Sequence, residues 1–290
     1  MTDHAQTAAE TGLRVLAGRY PILLCDIWGV VHNGMEAHPK AAYALLRFRD
    51  QGGTVALITN APRPAASVEA QLASFGITRA SYDVVVTSGD VTRDLVGVSG
   101  LDRIFHLGPD RDLALFKGLD VNRVTLDQAQ AILCTGLIDD DVESPEDYRK
   151  LLGDLAQRNL PMYCANPDRV VQRGEDLVYC AGALADVYEQ LGGDVIIAGK
   201  PHSPIYQQAL NAIALVRGSD PDKGDILAIG DGIVTDVHGA ASFGLDALFI
   251  TGGIHAAEAH TGPADGTGLL DRLNQVPGLT LAAVAAELSW

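Results

Sequence analysis

Basic residues are scarce in this chain: 21 Lys and Arg stand against 37 Asp and Glu, for a formal net charge of −16. Without a net positive field there is nothing to displace counterions from a phosphate backbone, so nucleic acid is excluded as an expected partner. Cysteine is sparse as well. Cys25, Cys134, Cys164 and Cys180 lie mostly in apolar surroundings, with none of the short paired spacings of a zinc site, and read as reduced core residues. Cys25 abuts Asp26, but strand alternation points it to the opposite face. No apolar run approaches the roughly 20 residues of a membrane span. The start, residues 1–18, is polar and mixed rather than basic and then apolar, so a soluble, cytoplasmic protein with no membrane partner is the expectation. Internal repeats and low-complexity tracts are also missing.

What remains is a globular composition. A chain of 290 residues that is 47% hydrophobic can bury one large or two ordinary domains. Apolar strand candidates alternate with amphipathic segments at 22–26, 54–59, 84–87, 195–198, 226–230 and 247–250, a pattern that predicts an α/β fold with a doubly wound parallel sheet. Pro39 opens a helix that Gly52 and Gly53 close, and Pro204 opens another that Gly218 closes. The stretch 91–193 has its own alternation, with short strands at 104–107, 131–134 and 162–164 and a helix over 145–158 capped by Ser144. It reads as an inserted α/β cap domain between core segments 1–90 and 194–290. The run Asp139–Asp141 reads as a solvated turn, because consecutive residues rarely converge on one ion.

The chemistry sits at strand exits. Ile22-Leu-Leu-Cys-Asp26 runs a buried strand into a lone acid and a Gly-containing turn, and Ile226-Leu-Ala-Ile-Gly230 leads into Asp231 and, five residues on, Asp236. Acidic oxygens from two strand ends suggest a hard-cation site. Thr59 and Asn60 follow the second strand, and Lys200 follows Ile196-Ile-Ala-Gly199. A nucleophile, a hydroxyl donor, a cation and a metal site at the carboxyl ends of strands suit phosphoryl transfer.

This set resembles the haloacid dehalogenase superfamily of hydrolases, and its spacing resembles subclass IIA, the NagD-like or p-nitrophenyl phosphatase-like group. Further landmarks of that subclass are Val86-Thr-Ser-Gly89, Asn166-Pro-Asp168, Ala181-Gly-Ala-Leu184, Gly199-Lys-Pro201 and Gly230-Asp-Gly-Ile-Val-Thr-Asp236, so the likeness covers nearly the whole chain. The resemblance implies a Mg²⁺-dependent phosphatase acting on a small phosphorylated metabolite. Asp26 would attack phosphorus and become an aspartyl phosphate; Thr59, the amides near Asn60 and Lys200 would hold the phosphoryl oxygens. Magnesium would be held by Asp26, Asp231 and the Trp28 carbonyl, with Asp236 orienting its waters. The cap selects the leaving group in this subclass, and caps of this type often mediate dimers in related proteins, which makes a homodimer the assembly the resemblance suggests.

One position departs from the pattern. Phosphatases of the superfamily carry a second Asp two residues after the nucleophile, as acid to the leaving group and base to the water; here that residue is Trp28. Indole has no titratable proton near neutral pH and cannot take the role. His32 is the nearest substitute, with a loop histidine bound to backbone or substrate as its plainer reading. Two alternatives follow: a phosphate-ligand binding protein or sensor whose hydrolysis is impaired, and a metal-free dehalogenase. The second has no use for the Asp231 and Asp236 pair, whose mutual repulsion calls for a cation.

Overall fold

The computed structural model describes residues 12–174, 176–254 and 267–290. Residues 1–11, which carry most of the reading of the chain start, lie outside that set. The strands with unbroken apolar character form a six-stranded sheet. Its order is β13 (Thr280–Ala285), β12 (Asp246–Ile250), β11 (Ile226–Gly230), β1 (Ile22–Asp26), β2 (Thr54–Thr59) and β3 (Val84–Thr87). β1 pairs in parallel with β2 and β11, β11 with β12, and β12 with β13. Every residue of β1, β2 and β11 is buried, because the central strands are covered on both faces and need apolar side chains at each position rather than at alternate ones. The chain steps outward from β1 to β3 on one side and from β11 to β13 on the other. The direction therefore reverses between β1 and β11, the place where open α/β sheets bind ligands.

A second sheet is parallel throughout its paired strands, in the order β10 (Val195–Ile197), β7 (Met162–Cys164), β6 (Ala131–Cys134), β4 (Arg103–Leu107) and β5 (Asn122–Arg123). Alternation along β6 splits its side chains between two cores: Ile132 and Cys134 pack with Leu152, Leu155 and Tyr188, while Ala131 and Leu133 pack with Val96, Leu115 and Tyr163. An antiparallel hairpin, β8 (Val170–Arg173) and β9 (Asp176–Tyr179), stands apart from both sheets. The helices are α1 (Leu13–Leu16), α2 (Pro39–Asp50), α3 (Ala65–Ser74), α4 (Ser88–Val98), α5 (Arg149–Gln157), α6 (Ala181–Gln190), α7 (Ser203–Arg217), α8 (His238–Phe243) and α9 (Thr267–Asn274). Among the described residues none is long and apolar enough to cross a membrane.

The chain divides into two compact units. The first takes in the described parts of Met1–Ile58, Leu72–Val85 and Ala209–Trp290; the second comprises Thr59–Gln71 and Val86–Gln208, so Thr59, the last residue of β2, counts with the second. One strand differs from expectation: 195–198 reads as a strand of the main sheet, but β10 pairs with β7, Val195 opposite Met162, and closes the second sheet. Apolar character marks a residue run as a strand and leaves its partner unspecified, which is why the sequence did not place it. The cysteines are free and buried, and Asp140 and Asp141 are engaged with Arg173 in ion pairs rather than solvated alone.

Candidate active site

Each of the two strands at the reversal point leads to an acid. β1 ends on Asp26, β11 hands on directly to Asp231, and the register of Cys25 opposite Ile229 brings both out at one carboxyl edge. Asp236 arrives on a π-helical turn, Ile233–Val237, in which the N–H groups of Asp236 and Val237 both donate to the Gly232 carbonyl, at 2.9 and 3.1 Å. Widened turns of this kind are frequent at functional sites, since they re-aim one side chain without ending the helix. One carboxylate oxygen from each of Asp26, Asp231 and Asp236 lies within 4.8 Å of the others, and the residues are only 5%, 6% and 9% exposed.

Three carboxylates so close and so poorly hydrated repel one another, and an interior tolerates them when a cation neutralises the charge. An all-oxygen donor set matches a hard divalent ion such as Mg²⁺ rather than a thiophilic metal. The surrounding backbone is cut to fit these side chains. A Cβ at Gly29 would fall 2.1 Å from Asp231 Oδ2, one at Gly253 1.9 Å from the same atom, and one at Gly230 2.2 Å from Asp236 Cγ. Gly29 has φ +86°, a conformation that also favours glycine. Asp231 Oδ2 accepts a 2.6 Å bond from the Ile254 N–H, and Asp236 Oδ2 a 3.0 Å bond from the Gly232 N–H, which fixes both carboxylates before any ion arrives.

Trp28 is partly buried on the turn after β1. Its six-membered ring covers Gly34, where a Cβ would stand 2.4 Å from Cζ2, and its edge meets His32 with ring centroids 5.1 Å apart. His32 is 2% exposed and packs edge-on against Phe75. The His32 Nδ1 accepts a 3.0 Å bond from the Gly34 N–H, so the neutral ring carries its proton on Nε2. That bond occupies the lone pair with which Nδ1 would act as a base.

The second unit gathers Thr59, Asn60 and Lys200. Thr59 follows Ile58, the register partner of Asp26, and its Oγ1 accepts from the Ala61 N–H at 3.1 Å. The Asn60 amide grips the backbone of Lys200 from both ends: Oδ1 accepts from the Lys200 N–H at 2.8 Å, and Nδ2 donates to the Lys200 carbonyl at 3.2 Å. Nδ2 also donates to Asp168 Oδ1 at 2.8 Å. Lys200 is 3% exposed. Gly199, just before it, leaves no room for a side chain, since a Cβ there would lie 2.6 Å from Ser88 Oγ and 2.7 Å from Asn60 Oδ1. Sequence reasoning gave Asn60 to phosphate and missed this clamp, although a carboxamide at a strand exit is the side chain that offers an acceptor and donors together. It named Ser88 only within the landmark Val86-Thr-Ser-Gly89 and gave no role to that residue, whose buried Oγ has no hydrogen-bond partner among the described residues.

Comparison with known proteins points to one family. Residues 23–122 match the family model of haloacid dehalogenase-like hydrolases, and residues 197–276 match a HAD-hydrolase-like model. A hydrolase of the haloacid dehalogenase-like family from Brucella suis, of known crystal structure, is 55% identical with a TM-score of 0.82, over 86% of this chain and 95% of that one. The 5′-nucleotidase YutF of Bacillus subtilis is 24% identical over 246 residues, 83% of this chain and 91% of the relative. A glycerol phosphate phosphatase from Mycobacterium tuberculosis, solved in complex with magnesium, is 22% identical with a TM-score of 0.64, over 86% of this chain and 73% of that one. The sheet order, the buried acids at its reversal point and a 55% identical relative matched over 95% of its length together establish that the chain belongs to the haloacid dehalogenase-like hydrolase family.

Proposed function

We propose that the protein is a magnesium-dependent phosphomonoesterase that hydrolyses a small phosphorylated metabolite through a covalent intermediate on Asp26. The observation that supports this most is the set of three buried carboxylates, Asp26, Asp231 and Asp236, each with an oxygen within 4.8 Å of the others. Phosphatase and nucleotidase activities named for the relatives belong to the same reaction class. A magnesium ion would be held by Asp26, Asp231 and the Trp28 carbonyl, with Asp236 orienting its waters, and when bound would offset the charge of the phosphoryl oxygens.

In the first step an Asp26 oxygen bonds to phosphorus while the alkoxide leaves; in the second, water attacks the aspartyl phosphate, phosphate departs and the carboxylate is restored. The Thr59 hydroxyl and the amides near Asn60 take phosphoryl oxygens, and the Lys200 ammonium offsets their charge. Trp28 supplies no proton to the leaving group and no base for the water. General acid-base help is typically worth ~10² to 10⁴ in rate, so esters with acidic leaving groups are favoured and the second step is slow.

Rapid quench on p-nitrophenyl phosphate with saturating Mg²⁺ tests the reading. A burst of p-nitrophenol followed by a slow steady state is expected, and Asp26→Asn removes both. Binding of phosphate esters with no turnover would overturn the reading in favour of a ligand sensor. Steady turnover without a burst, abolished by His32→Ala, would assign acid-base duty to His32.

A further inference from the structure

The mechanism above uses the carbonyl of Trp28 and leaves its indole without a task. That ring belongs to the first unit, as do Asp26, Asp231, His32, Gly34 and Phe75. Its place follows from the strand before it. The bridge from Trp28 to His32 keeps the chain paired past the end of β1, and Ile27, 1% exposed, turns into the core. Residues two apart on an extended chain share a side, so Trp28 projects on the side of the Asp26 carboxylate. Gly29, the next residue, backs directly onto the acids, a Cβ there being 2.1 Å from Asp231 Oδ2. About 6.6 Å of extended chain separates the Asp26 and Trp28 positions, which leaves room for a phosphoryl group on the acid with its leaving group beside the indole.

The loop that carries the ring is tied at several points. The Val31 N–H donates to the Ile27 carbonyl at 2.7 Å, the Gly29 N–H to the His32 carbonyl at 2.8 Å and the His38 N–H to the Val31 carbonyl at 2.8 Å. Asn33 Oδ1 accepts from the Met35 and Glu36 N–H groups at 3.0 and 2.9 Å. The ring itself is seated along its six-membered edge: Gly34, at φ +87°, has no room for a Cβ, which would lie 2.4 Å from Cζ2 and 2.7 Å from Cη2. His32 meets the ring edge-on and is backed in turn by Phe75, both at 5.1 Å between centroids. Part of the indole nonetheless reaches solvent, and Met35, next to Gly34 in the chain, is 65% exposed. A large aromatic surface fixed before binding costs little further order when a second ring stacks on it. Indole carries no acid, so what this position gives a leaving group is contact area rather than a proton.

We infer that Trp28 is a specificity-determining residue whose indole stacks on the leaving group, so that the protein selects phosphate esters with a flat aromatic or heteroaromatic ring next to the ester oxygen over aliphatic ones. The inference rests on the phosphomonoesterase reading and narrows its substrate class.

Benzyl phosphate and cyclohexylmethyl phosphate test it, since their leaving groups share one carbon skeleton and differ in whether the ring is flat. Both esters would leave the same aspartyl phosphate, so kcat/KM compares the step in which the leaving group departs. The unmodified protein is expected to favour the benzyl ester about 3- to 10-fold. Trp28→Leu keeps the backbone carbonyl and an apolar side chain, and is expected to bring that ratio down toward parity. Trp28→Phe, the milder change should the Leu variant not fold, retains a flat ring and falls between. No preference in the parent, or one that survives unchanged in Trp28→Leu, would overturn the inference. If neither ester is turned over, the phosphomonoesterase reading fails instead, and the ratio of their calorimetric Kd values then decides the part played by Trp28 on the same criteria.

Discussion

At the scale of single residues, the second unit sets two titrations against each other. Burial pushes the Asp112 carboxyl up to about 6 and the His106 imidazole down to about 4. Asp112 binds its proton more tightly folded than unfolded. It contributes stability that is present below pH ~4 and lost as pH rises through about 6. His106 does the reverse: its contribution is present above pH ~6.5 and lost as pH falls toward about 4. The two slopes oppose in one window. Thermal melts between pH 4 and 6.5 should therefore show Asp112→Asn gaining stability with rising pH relative to the parent, and His106→Asn losing it. Parallel curves for parent and variants would show that neither group titrates in the fold. The residues that carry the candidate chemistry were legible because acids, Thr, Asn and Lys at strand exits stand out against apolar runs. Asp112 was not, since nothing in its charged local sequence, Asp110-Arg-Asp112, signals that this acid will be buried.

At the scale of elements, the start of α5 shows how local rules and packing divide the work. Ser144 and Asp147 form a reciprocal capping box: Asp147 Oδ2 accepts from the Ser144 N–H at 2.8 Å, and the Ser144 side chain takes the Asp147 N–H. Pro145 follows at the first position, where its missing N–H costs nothing. The sequence predicts one helix over 145–158, and the structure opens it with a 3₁₀ turn, Pro145–Tyr148, before Arg149–Gln157 continues as α-helix. Ser144→Ala should cost roughly 0.5–2 kcal/mol in urea unfolding and leave the Mg²⁺ affinity proposed for the first unit unchanged. A loss of metal affinity would mean that the cap steadies more than its own helix. The strands β1, β2 and β11 were readable because their burial on both faces shows as an uninterrupted apolar run. β13 went unread: Thr280-Leu-Ala-Ala-Val-Ala285 is rich in alanine and has a register shift against β12, so neither composition nor period two marks it. The β8–β9 hairpin escaped for a related reason, its residues being half-exposed and lacking an apolar face.

At the scale of the whole molecule, the charge of −16 works against the substrates inferred for it. A field of that sign slows the approach of a dianion, and added salt screens it over a distance of about 8–10 Å. Raising NaCl from 10 to 150 mM at fixed Mg²⁺ should lift kcat/KM for a phosphate monoester dianion by about two- to threefold, and lift that for an ester whose leaving group carries a cationic ammonium less. A fall in kcat/KM with salt would place a positive local field ahead of the global one. The sheet order has a consequence of another kind, during synthesis. β1 lies between β2 and β11, with Ile22 opposite Thr54 on one side and opposite Ile226 on the other. At about 5–20 residues per second, roughly 200 residues of translation leave one edge of this apolar strand without its neighbour for about 10–40 s. Until the ribosome reaches β11 the nascent chain presents an open hydrogen-bonding edge of buried-type residues, the kind of surface that recruits other strands. The strand that carries the proposed nucleophile is thus the first of its sheet to be made and among the last enclosed, and the yield of the protein in a cell depends on what shields that strand in the interval.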